Sequence, residues 1–331
     1  MVEQASVTPA DIQAAAARLA GRIWRTPVER STALSAQVGA DVWLKYECFQ
    51  ATGSFKLRRA LNRLLTLDDG ALARGVVTAS AGNHGLGVAE AAARLGVTAT
   101  VIVPETASAA KVHALRQYSG RGIELTLAGA EYDAAEAHAL NLSRASGRPF
   151  VSAYNDAAVI AGGGTTALEM LEDVADADAI IVPVGGGGLI GGVGVWAKHA
   201  RPGIRVIGVQ SEASPALHAA LTAGRLVSVP VEESLADGLA GNIEAGSITL
   251  PLTQAVVDEV ALVREADIAD AMRWLAAEHH VLVEGSAATA LAALLAGRVA
   301  NLAGRRVVLL LTGRNVTYEV MAQVFAQDVP A

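Results

Sequence analysis

Short apolar runs rich in β-branched residues recur along the chain and alternate with longer segments whose apolar positions follow a helical period. The runs predict strands at residues 42–44, 75–78, 100–103, 123–126, 179–184, 205–209 and 306–311. The helical patterns cover residues 84–95, 109–118, 132–146, 165–174 and 268–279, and Thr8-Pro9 predicts a further helix start. Strands that are apolar throughout and are joined by helices favour a parallel sheet covered on both faces, which predicts an α/β fold.

The length of the chain and the order of its elements predict two lobes. A chain of 331 residues exceeds the usual size of a single hydrophobic core. We place boundaries near Arg74-Gly75 and Tyr154-Asn155. We therefore expect a large domain formed by residues 1–74 and 154–331, with residues 75–153 inserted in it as a smaller domain.

Lys56 stands just past a Thr-Gly-Ser-Phe sequence, at the start of an apolar helical pattern. A lysine that is half-buried there has a lowered pKa, because desolvation disfavours its charged form. The neutral amine is a nucleophile that can hold an aldehyde cofactor covalently and later move protons. The same segment is also compatible with a lysine whose stem lies along the helix while its ammonium group stays in water.

Four glycines, residues 185–188, follow a predicted strand and precede a helical pattern. Their backbone N–H groups can surround an anion such as phosphate at the helix N-terminus, where the helix dipole also favours negative charge. Gly186, Gly188 and Gly191 also satisfy the dinucleotide pattern G-x-G-x-x-G, and Glu212 lies where a ribose-binding acid would be. A dinucleotide site and tight strand–helix packing therefore remain alternatives.

Two further predicted strands end in polar groups. The run at residues 75–78 leads into Ser80, Asn83 and His84, whose side chains and neighbouring N–H groups form a polar nest suited to a carboxylate or a phenolate oxygen. The run at residues 306–311 ends at the hydroxyl of Thr312. At the carboxyl end of a strand in an open α/β sheet, a hydroxyl faces the binding crevice.

Charge and cysteine content narrow the partners and the compartment. The net charge is -7 and there is no basic run, so nucleic acid and anionic membranes are poor partners. The N-terminus lacks the features of a signal peptide, and no apolar run approaches the length of a membrane span. The single cysteine, Cys48, excludes an intrachain disulfide and fits a reducing compartment. We therefore expect a cytoplasmic protein that acts on a small molecule.

Together, the four segments resemble those of the fold-type-II pyridoxal-phosphate enzymes, specifically the serine/threonine dehydratase and serine racemase group. The resemblance extends from Thr26-Pro27 to Asn315, and residues 159–169 are similar to another signature of the family. It implies a fold like that of the tryptophan synthase β-subunit, with two open, twisted, mostly parallel sheets flanked by helices. It also implies pyridoxal 5'-phosphate as the cofactor, an amino acid as the substrate, and a homodimer.

The resemblance implies a role for each matching residue. Lys56 matches the lysine that carries the cofactor and later takes the Cα proton of the substrate. Asn83 is similar to the asparagine that hydrogen-bonds the cofactor's 3′-oxygen, and Thr312 stands where the family places a hydroxyl or thiol against the pyridine nitrogen. The implied cofactor-binding residues are Phe55, Lys56, Asn83, Gly185, Gly186, Gly187, Gly188, Leu189, Glu284 and Thr312. Those implied for the substrate carboxylate are Ser80, Ala81, Asn83 and His84.

The activity that the resemblance implies is an ammonia-lyase, which eliminates water and ammonia from L-threonine or L-serine to give a 2-oxo acid. Thr312 is neutral and does not force a proton onto the ring nitrogen, which favours elimination over transamination. A serine racemase remains an alternative, as does a dehydratase of 3-hydroxyaspartate, phenylserine or another hydroxy amino acid. More remote alternatives are an NAD-dependent oxidoreductase and a non-catalytic module that binds pyridoxal phosphate or an amino acid.

Several positions depart from the family pattern. Ala81 replaces the serine that acts as acid and base on the second face of the cofactor in racemases, and a methyl group cannot deliver a proton. Arg59 replaces a usual glycine, and Gly163 stands where glutamine is common. Arg314 replaces another glycine, and it could read a second carboxylate on the substrate or form a structural pair with Glu284 or another acid.

We do not expect a metal site. Some members of the family bind a divalent cation through a glutamate at the end of a strand and an aspartate a few residues later. Gln210 stands near the first of these places and residues 214–216 supply no aspartate, although Glu212 could act as a substitute. His279 and His280 lie at a predicted helix end, where we expect them to face solvent.

Overall fold

The computed structural model describes residues 7–326 and shows an α/β fold built on two sheets. The strands are β1 (Val28–Arg30), β2 (Asp41–Tyr46), β3 (Val76–Ala79), β4 (Ala99–Val103), β5 (Ile123–Leu127), β6 (Ala179–Pro183), β7 (Arg205–Ser211), β8 (Glu259–Val263) and β9 (Arg306–Leu311). The helices are α1 (Pro9–Leu19), α2 (Thr32–Val38), α3 (Lys56–Leu65), α4 (Asp69–Arg74), α5 (Asn83–Leu95), α6 (Ala109–Arg116), α7 (Tyr132–Ser146), α8 (Ala157–Asp173), α9 (Gly188–Ala200), α10 (Ala216–Ala223), α11 (Thr249–Val256), α12 (Glu265–Glu278), α13 (Gly285–Leu295) and α14 (Tyr318–Phe325). No helix in this part of the chain combines the length and the apolar character needed to cross a membrane.

The larger sheet has six strands in the order β1-β2-β9-β6-β7-β8, in which β1 pairs antiparallel with β2 and the other pairs are parallel. The smaller sheet has the order β3-β4-β5 and is parallel throughout. Helices connect most of the parallel strands, because a parallel crossover needs a long connection. The predicted fold class, with two mostly parallel sheets flanked by helices, is confirmed.

The larger sheet is buried on both faces. In β9 the side chains of Val307, Leu309 and Leu311 belong to the apolar cluster that includes α12 and α13. Val308 and Leu310 belong to the cluster on the other face, which includes α8 and α9. All five residues are fully buried. Because successive side chains of a strand point to opposite faces, a strand that is covered on both sides is apolar throughout.

All seven predicted strands are confirmed, with small differences at their ends. The helix predicted at residues 165–174 begins earlier than expected, at Ala157. Three glycines, residues 162–164, interrupt the apolar pattern there. A Cβ atom at Gly162 would lie 2.6 Å from the carbonyl oxygen of Arg58, and one at Gly164 would lie 2.9 Å from that of Gly192. The glycines therefore let α8 pack closely against α3 and α9.

The smaller sheet lies within the predicted insertion, residues 75–153. Its apolar cluster also contains Leu57, Leu61 and Leu64 from α3, which precedes that segment in the chain. The core of the smaller lobe therefore includes a helix from outside the insertion. The domain boundaries stay a prediction.

A buried cluster of four charged side chains holds the start of α3 against β2 and α8. Arg58 is fully buried and donates to Glu47 and Glu169 at 2.6–2.8 Å. Lys45 is also fully buried and donates to Glu169 at 2.5 Å. Removing one member would leave another charge buried and unpaired, which is costly, so the cluster fixes its own geometry. It thereby fixes the position of Lys56, which begins the same helix.

Candidate active site

The segment that carries Lys56 is attached to the end of β9. Ser54 forms an isolated antiparallel β-bridge with Gly313. The N–H group of Phe55 donates to the carbonyl oxygen of Thr312 at 3.1 Å. These contacts place the first residue of α3 at the carboxyl end of the sheet, where open α/β folds form their binding crevice.

The amine of Lys56 lies in a low-dielectric environment. The residue is half-buried, and its Nζ is 5.3 Å from the centre of the Phe55 ring. Burial and then the positive charge of Arg59 lower the pKa of Lys56 to about 7, while the negative charge of Glu284 acts in the opposite direction. An amine with this pKa is partly neutral at neutral pH and can act as a nucleophile or a base. The geometry agrees with the lowered pKa expected from the sequence and disagrees with an ammonium group held in bulk water.

Glu284 is the partner of Asn83 and not of Arg314. The Asn83 Nδ2 donates to the two carboxylate oxygens at 2.8 and 3.0 Å, and the N–H group of Asn315 donates at 3.2 Å. Burial raises the pKa of Glu284 to about 7, although the hydrogen bond from Asn83 lowers it. Within residues 7–326 no ion pair joins Glu284 to Arg314, whose guanidinium lies 5.5 Å from the centre of the Phe49 ring. The structural pair that we considered for Arg314 and Glu284 is therefore not formed.

Asn315 links three segments of the site through hydrogen bonds. The sequence did not reveal this role. Its Nδ2 donates to the carbonyl oxygen of Thr52 at 2.9 Å and to the Oδ1 of Asn83 at 2.6 Å. A Cβ atom at Gly53 would lie 2.6 Å from the Asn315 Oδ1, so a side chain at Gly53 would displace the asparagine. A polar residue soon after a buried strand was the signal that could have identified it.

Close packing and a left-handed backbone conformation both shape the glycine loop. Gly187 has φ +83°, a left-handed conformation that favours glycine, and Gly188 begins α9, whose first N–H groups have no acceptor within the helix. A Cβ atom at Gly186 would lie 2.6 Å from the ring of Tyr154, whose hydroxyl accepts a hydrogen bond from the N–H of Glu244 at 3.0 Å. Packing therefore explains some of the glycines but not the backbone conformation at Gly187. From the sequence, Tyr154 was identified only as part of a lobe boundary.

The apolar side of the site is formed by Phe55 and Leu189. Both are buried, at 7% and 5% exposed, in the apolar cluster that includes β6, α8 and α9. Thr312 is buried as well, at 3% exposed. A flat aromatic ring could therefore lie between apolar side chains while its polar edge reaches a hydroxyl.

At the start of α5, backbone N–H groups are available to bind an anion, whereas the ring of His84 is not. The Nε2 of His84 lies 3.0 Å from the carbonyl oxygen of Val151, so this nitrogen carries the hydrogen and Nδ1 does not. Burial and then the charge of Lys56 lower the pKa of His84 to about 3. The Oγ of Ser80 accepts a hydrogen bond from the N–H of Gly82 at 3.1 Å. The His84 ring thus stays neutral and turned towards Val151, and an anion would meet N–H groups at the helix start.

Of the residues considered for a metal, Gln210 and His279 form hydrogen bonds with other groups, whereas Glu212 and His280 are exposed. The Nε2 of Gln210 donates to the carbonyl oxygen of Ser214 at 3.3 Å. A ring nitrogen of His279 lies 3.1 Å from the hydroxyl of Tyr46, so the expectation that His279 faces solvent is wrong, whereas His280 is exposed. Among residues 7–326 no group of three or more His, Cys, Asp or Glu side chains could hold a metal ion.

Comparison with known proteins agrees with this geometry. Residues 19–313 match the family described as pyridoxal-phosphate dependent enzyme. The chain is 42% identical over 320 residues to L-threonine ammonia-lyase of Geobacter sulfurreducens, covering 97% of this chain and 78% of that protein. It is 39% identical over 315 residues to the catabolic L-threonine dehydratase of Escherichia coli, covering 95% and 94% of the two chains. The structure of maize serine racemase superposes with a TM-score of 0.90 at 33% identity, covering 97% of this chain and 98% of that one.

The comparisons also decide between the cofactors considered for the glycines. The dinucleotide pattern of Gly186, Gly188 and Gly191 lies inside the matched residues, as do Lys56 and Thr312. The interpretation of this chain as an NAD-dependent oxidoreductase is therefore wrong. The chain belongs to the family of pyridoxal-phosphate-dependent enzymes.

Proposed function

We propose that this enzyme is an ammonia-lyase that removes water and ammonia from a β-hydroxy amino acid, with L-threonine and L-serine as the first candidates. The observation that carries the proposal is the amine of Lys56, half-buried and with a pKa lowered to about 7, at the first residue of α3. Two relatives are named as an L-threonine ammonia-lyase and an L-threonine dehydratase, which supports L-threonine as a candidate substrate. Release of ammonia and a 2-oxo acid from either amino acid is the experiment that tests it.

The residues around Lys56 fit pyridoxal phosphate. Buried polar atoms without a hydrogen-bond partner lie close to it in sequence or in space, namely the Oγ of Ser54, the Nε and Nη2 of Arg59 and the Nδ1 of His84. Unpartnered buried polar groups are rare in native proteins and require an explanation, which a polar cofactor supplies. We propose that Lys56 holds the aldehyde carbon, residues 185–188 surround the phosphate, and Thr312 meets the pyridine nitrogen.

Asn83 is placed to contact the cofactor's 3′-oxygen only if one of its present partners gives way. Its Nδ2 donates to Glu284 and its Oδ1 accepts from Asn315. Glu284 has a pKa raised to about 7, so its carboxyl group can gain or lose a proton near neutral pH. We propose that the carboxyl group of Glu284 gains or loses a proton when the 3′-oxygen binds near Asn83. The 3′-oxygen then keeps a hydrogen-bond partner.

The chemistry at Cα depends on Lys56. When bound, the cofactor supplies an electron sink that makes the Cα proton of the substrate removable. The Nζ of Lys56 takes that proton as a general base, and a base with a pKa near the working pH is the most effective. The positive charge of Arg59 favours the neutral form of this amine.

The substrate carboxylate is proposed to bind at the start of α5. Ser80, Ala81, Asn83 and His84 belong to the turn that begins this helix, where N–H groups and the helix dipole favour an anion. Because the His84 ring is turned towards Val151, its contribution would come from the backbone. This arrangement would hold the Cα–H bond across the ring of the cofactor.

The side chain at position 81 is expected to determine whether elimination or racemisation predominates. With a methyl group at this position, L-serine should give pyruvate and little D-serine, because no side chain there can return a proton to the second face. Ala81→Ser supplies a hydroxyl and should raise the yield of D-serine relative to pyruvate, whereas Ala81→Gly, which adds no proton donor, should not. Chiral chromatography of the reaction mixtures measures the ratio. Equal D-serine from the serine and glycine variants would rule out a role for this position.

Arg314 is expected to bind a second anionic group of the substrate. If Arg314 binds such a group, Arg314→Gly should reduce kcat/KM for 3-hydroxyaspartate about tenfold or more relative to L-threonine. This is the effect expected from the loss of one charge-assisted contact. The missing ion pair with Glu284 favours this role, because Arg314 is exposed beside the site and held by the Phe49 ring. Steady-state kinetics on both substrates and a melting curve provide the test. Parallel losses on both substrates with a lowered Tm would indicate a structural role instead.

We propose that the enzyme is a cytoplasmic homodimer. The single cysteine, Cys48, is buried and its pKa is raised by burial, so it has no thiolate character and behaves as a core residue. This agrees with a protein that does not depend on disulfides. The homodimer rests on the resemblance to the family.

A further inference from the structure

Within residues 7–326, Arg59 is a buried cation that forms no ion pair. The residue is 2% exposed, and its Nε and Nη2 have no hydrogen-bond partner among the described residues. Burial lowers the pKa of Arg59 to about 9, against the opposing charge of Asp156. The neighbouring Arg58 is equally buried but bonds Glu47 and Glu169. A buried guanidinium without such partners is costly, which indicates that its natural partner is an anion from outside the chain.

The side chain of Arg59 is aimed at the glycine loop. A Cβ atom at Gly188, the first residue of α9, would overlap the Nη2 of Arg59. The guanidinium carbon lies 5.5 Å from the centre of the Phe55 ring, which holds the group by a cation–π contact. The head group thus lies beside the first residue of α9, whose N–H group has no acceptor within the helix.

The stem of Arg59 lies beside Gly163, the position of another departure from the family pattern. A Cβ atom at Gly163 would lie 3.6 Å from the Cγ and Cδ of Arg59. A glutamine at position 163 would compete with the arginine stem for this space, and a glycine at position 59 would leave it open. Gly163 on α8 therefore leaves room for the stem of Arg59, which extends from α3.

We propose that Arg59 is a phosphate-binding residue of this enzyme, and that its guanidinium donates to the phosphate of pyridoxal phosphate opposite the N–H groups of residues 185–188. Arginine suits this role, since its planar fork matches phosphate oxygens and it stays charged. The glycine loop alone offers neutral donors and a helix dipole, and Arg59 adds a full positive charge. The proposal rests on the cofactor and not on which reaction the enzyme catalyses.

Equilibrium binding of two probes to the full-length protein freed of cofactor tests the proposal. Pyridoxal 5'-phosphate and pyridoxal, which lacks the phosphate, are titrated into the wild type, Arg59→Gln and Arg59→Met. Both variants remove an unpaired buried charge, so they should fold and melt at or above the Tm of the wild-type apoprotein. We expect the ratio of the affinity for pyridoxal phosphate to that for pyridoxal to fall about ten- to a hundredfold, because the effect of the lost charge on Lys56 is common to both aldehydes.

Arg63→Gln is the matched control, because Arg63 lies on the same helix and pairs with Asp156 at 2.8 Å. It removes the same charge without facing the loop and should leave the affinity ratio of the two probes unchanged. An equal loss for both probes in the Arg59 variants would assign Arg59 to packing or to its effect on Lys56, and no loss for either would also overturn the proposal. No substrate is present, so a failure of the proposed lyase reaction would not produce either result.

Discussion

Replacing Lys56 with alanine is expected to abolish the release of ammonia from L-threonine and L-serine, together with the visible absorbance of lysine-linked pyridoxal phosphate. The methyl group can neither hold the aldehyde carbon nor take the Cα proton, and loss of a general base alone lowers a rate about 10²–10⁴-fold. Pyridoxal phosphate should still bind without a covalent link, because the glycine loop is unchanged. Absorbance spectra and ammonia assays of the purified variant provide the measurement.

Lys111→Ala is the control for this substitution. Lys111 is a partly exposed lysine paired with Asp237 at 2.5 Å, and we expect its removal to leave the spectrum and the rate unchanged. Borohydride reduction of the wild type followed by peptide mapping checks the same assignment without a substitution, and the modified peptide should contain Lys56. A modification on Lys111, or on Lys45 beside Glu169, would refute the assignment.

Gly187→Asp is expected to weaken pyridoxal phosphate binding severely. A carboxylate in the loop repels the phosphate at the N-terminus of α9, and a side chain at this position is also strained, since Gly187 has φ +83°. Gly187→Asn separates the two effects, because asparagine has the same shape and tolerates the left-handed conformation but carries no charge. We expect the aspartate variant to bind about ten- to a hundredfold more weakly than the asparagine variant in an equilibrium titration.

Two outcomes of this comparison would count against the phosphate site. Unchanged affinity in both variants would show that the glycines serve packing, as the contact of Gly186 with Tyr154 does. Equal losses in both would show that backbone strain, and not charge, limits binding. Melting curves of the two apoproteins exclude a difference in folding.

The sequence predicted the central strands well because they are buried on both faces. β9 is apolar at five successive positions, and each of them is fully buried. The strands β1 and β8 were missed, and both lie at edges of the larger sheet. β1 is only three residues long and includes the exposed Glu29 and Arg30, so no apolar run marks it. β8 does contain an apolar run at residues 260–263, directly after Asp258 and Glu259, and this run could have identified it.

The sequence also marks the residues of the candidate site more clearly than it marks their hydrogen-bond partners. Lys56, the glycine loop and Thr312 were recognisable because each follows or precedes a regular element in a short, unusual pattern. The hydrogen bond between Asn83 and Glu284 spans 201 positions and arises only when both sheets are in place. The proximity of Arg59 to Gly188 has the same origin, because it depends on the packing of α3 beside the start of α9.

The product balance from L-serine distinguishes elimination from racemisation in a single sample. Purified enzyme is incubated with L-serine, and ammonia, pyruvate and both enantiomers of the remaining serine are quantified in the same sample. If Lys56 removes the Cα proton and Ala81 leaves the second face without a proton donor, ammonia and pyruvate should appear in equal amounts and the remaining serine should stay in the L form. Accumulation of D-serine in place of pyruvate would contradict the account and identify a racemase.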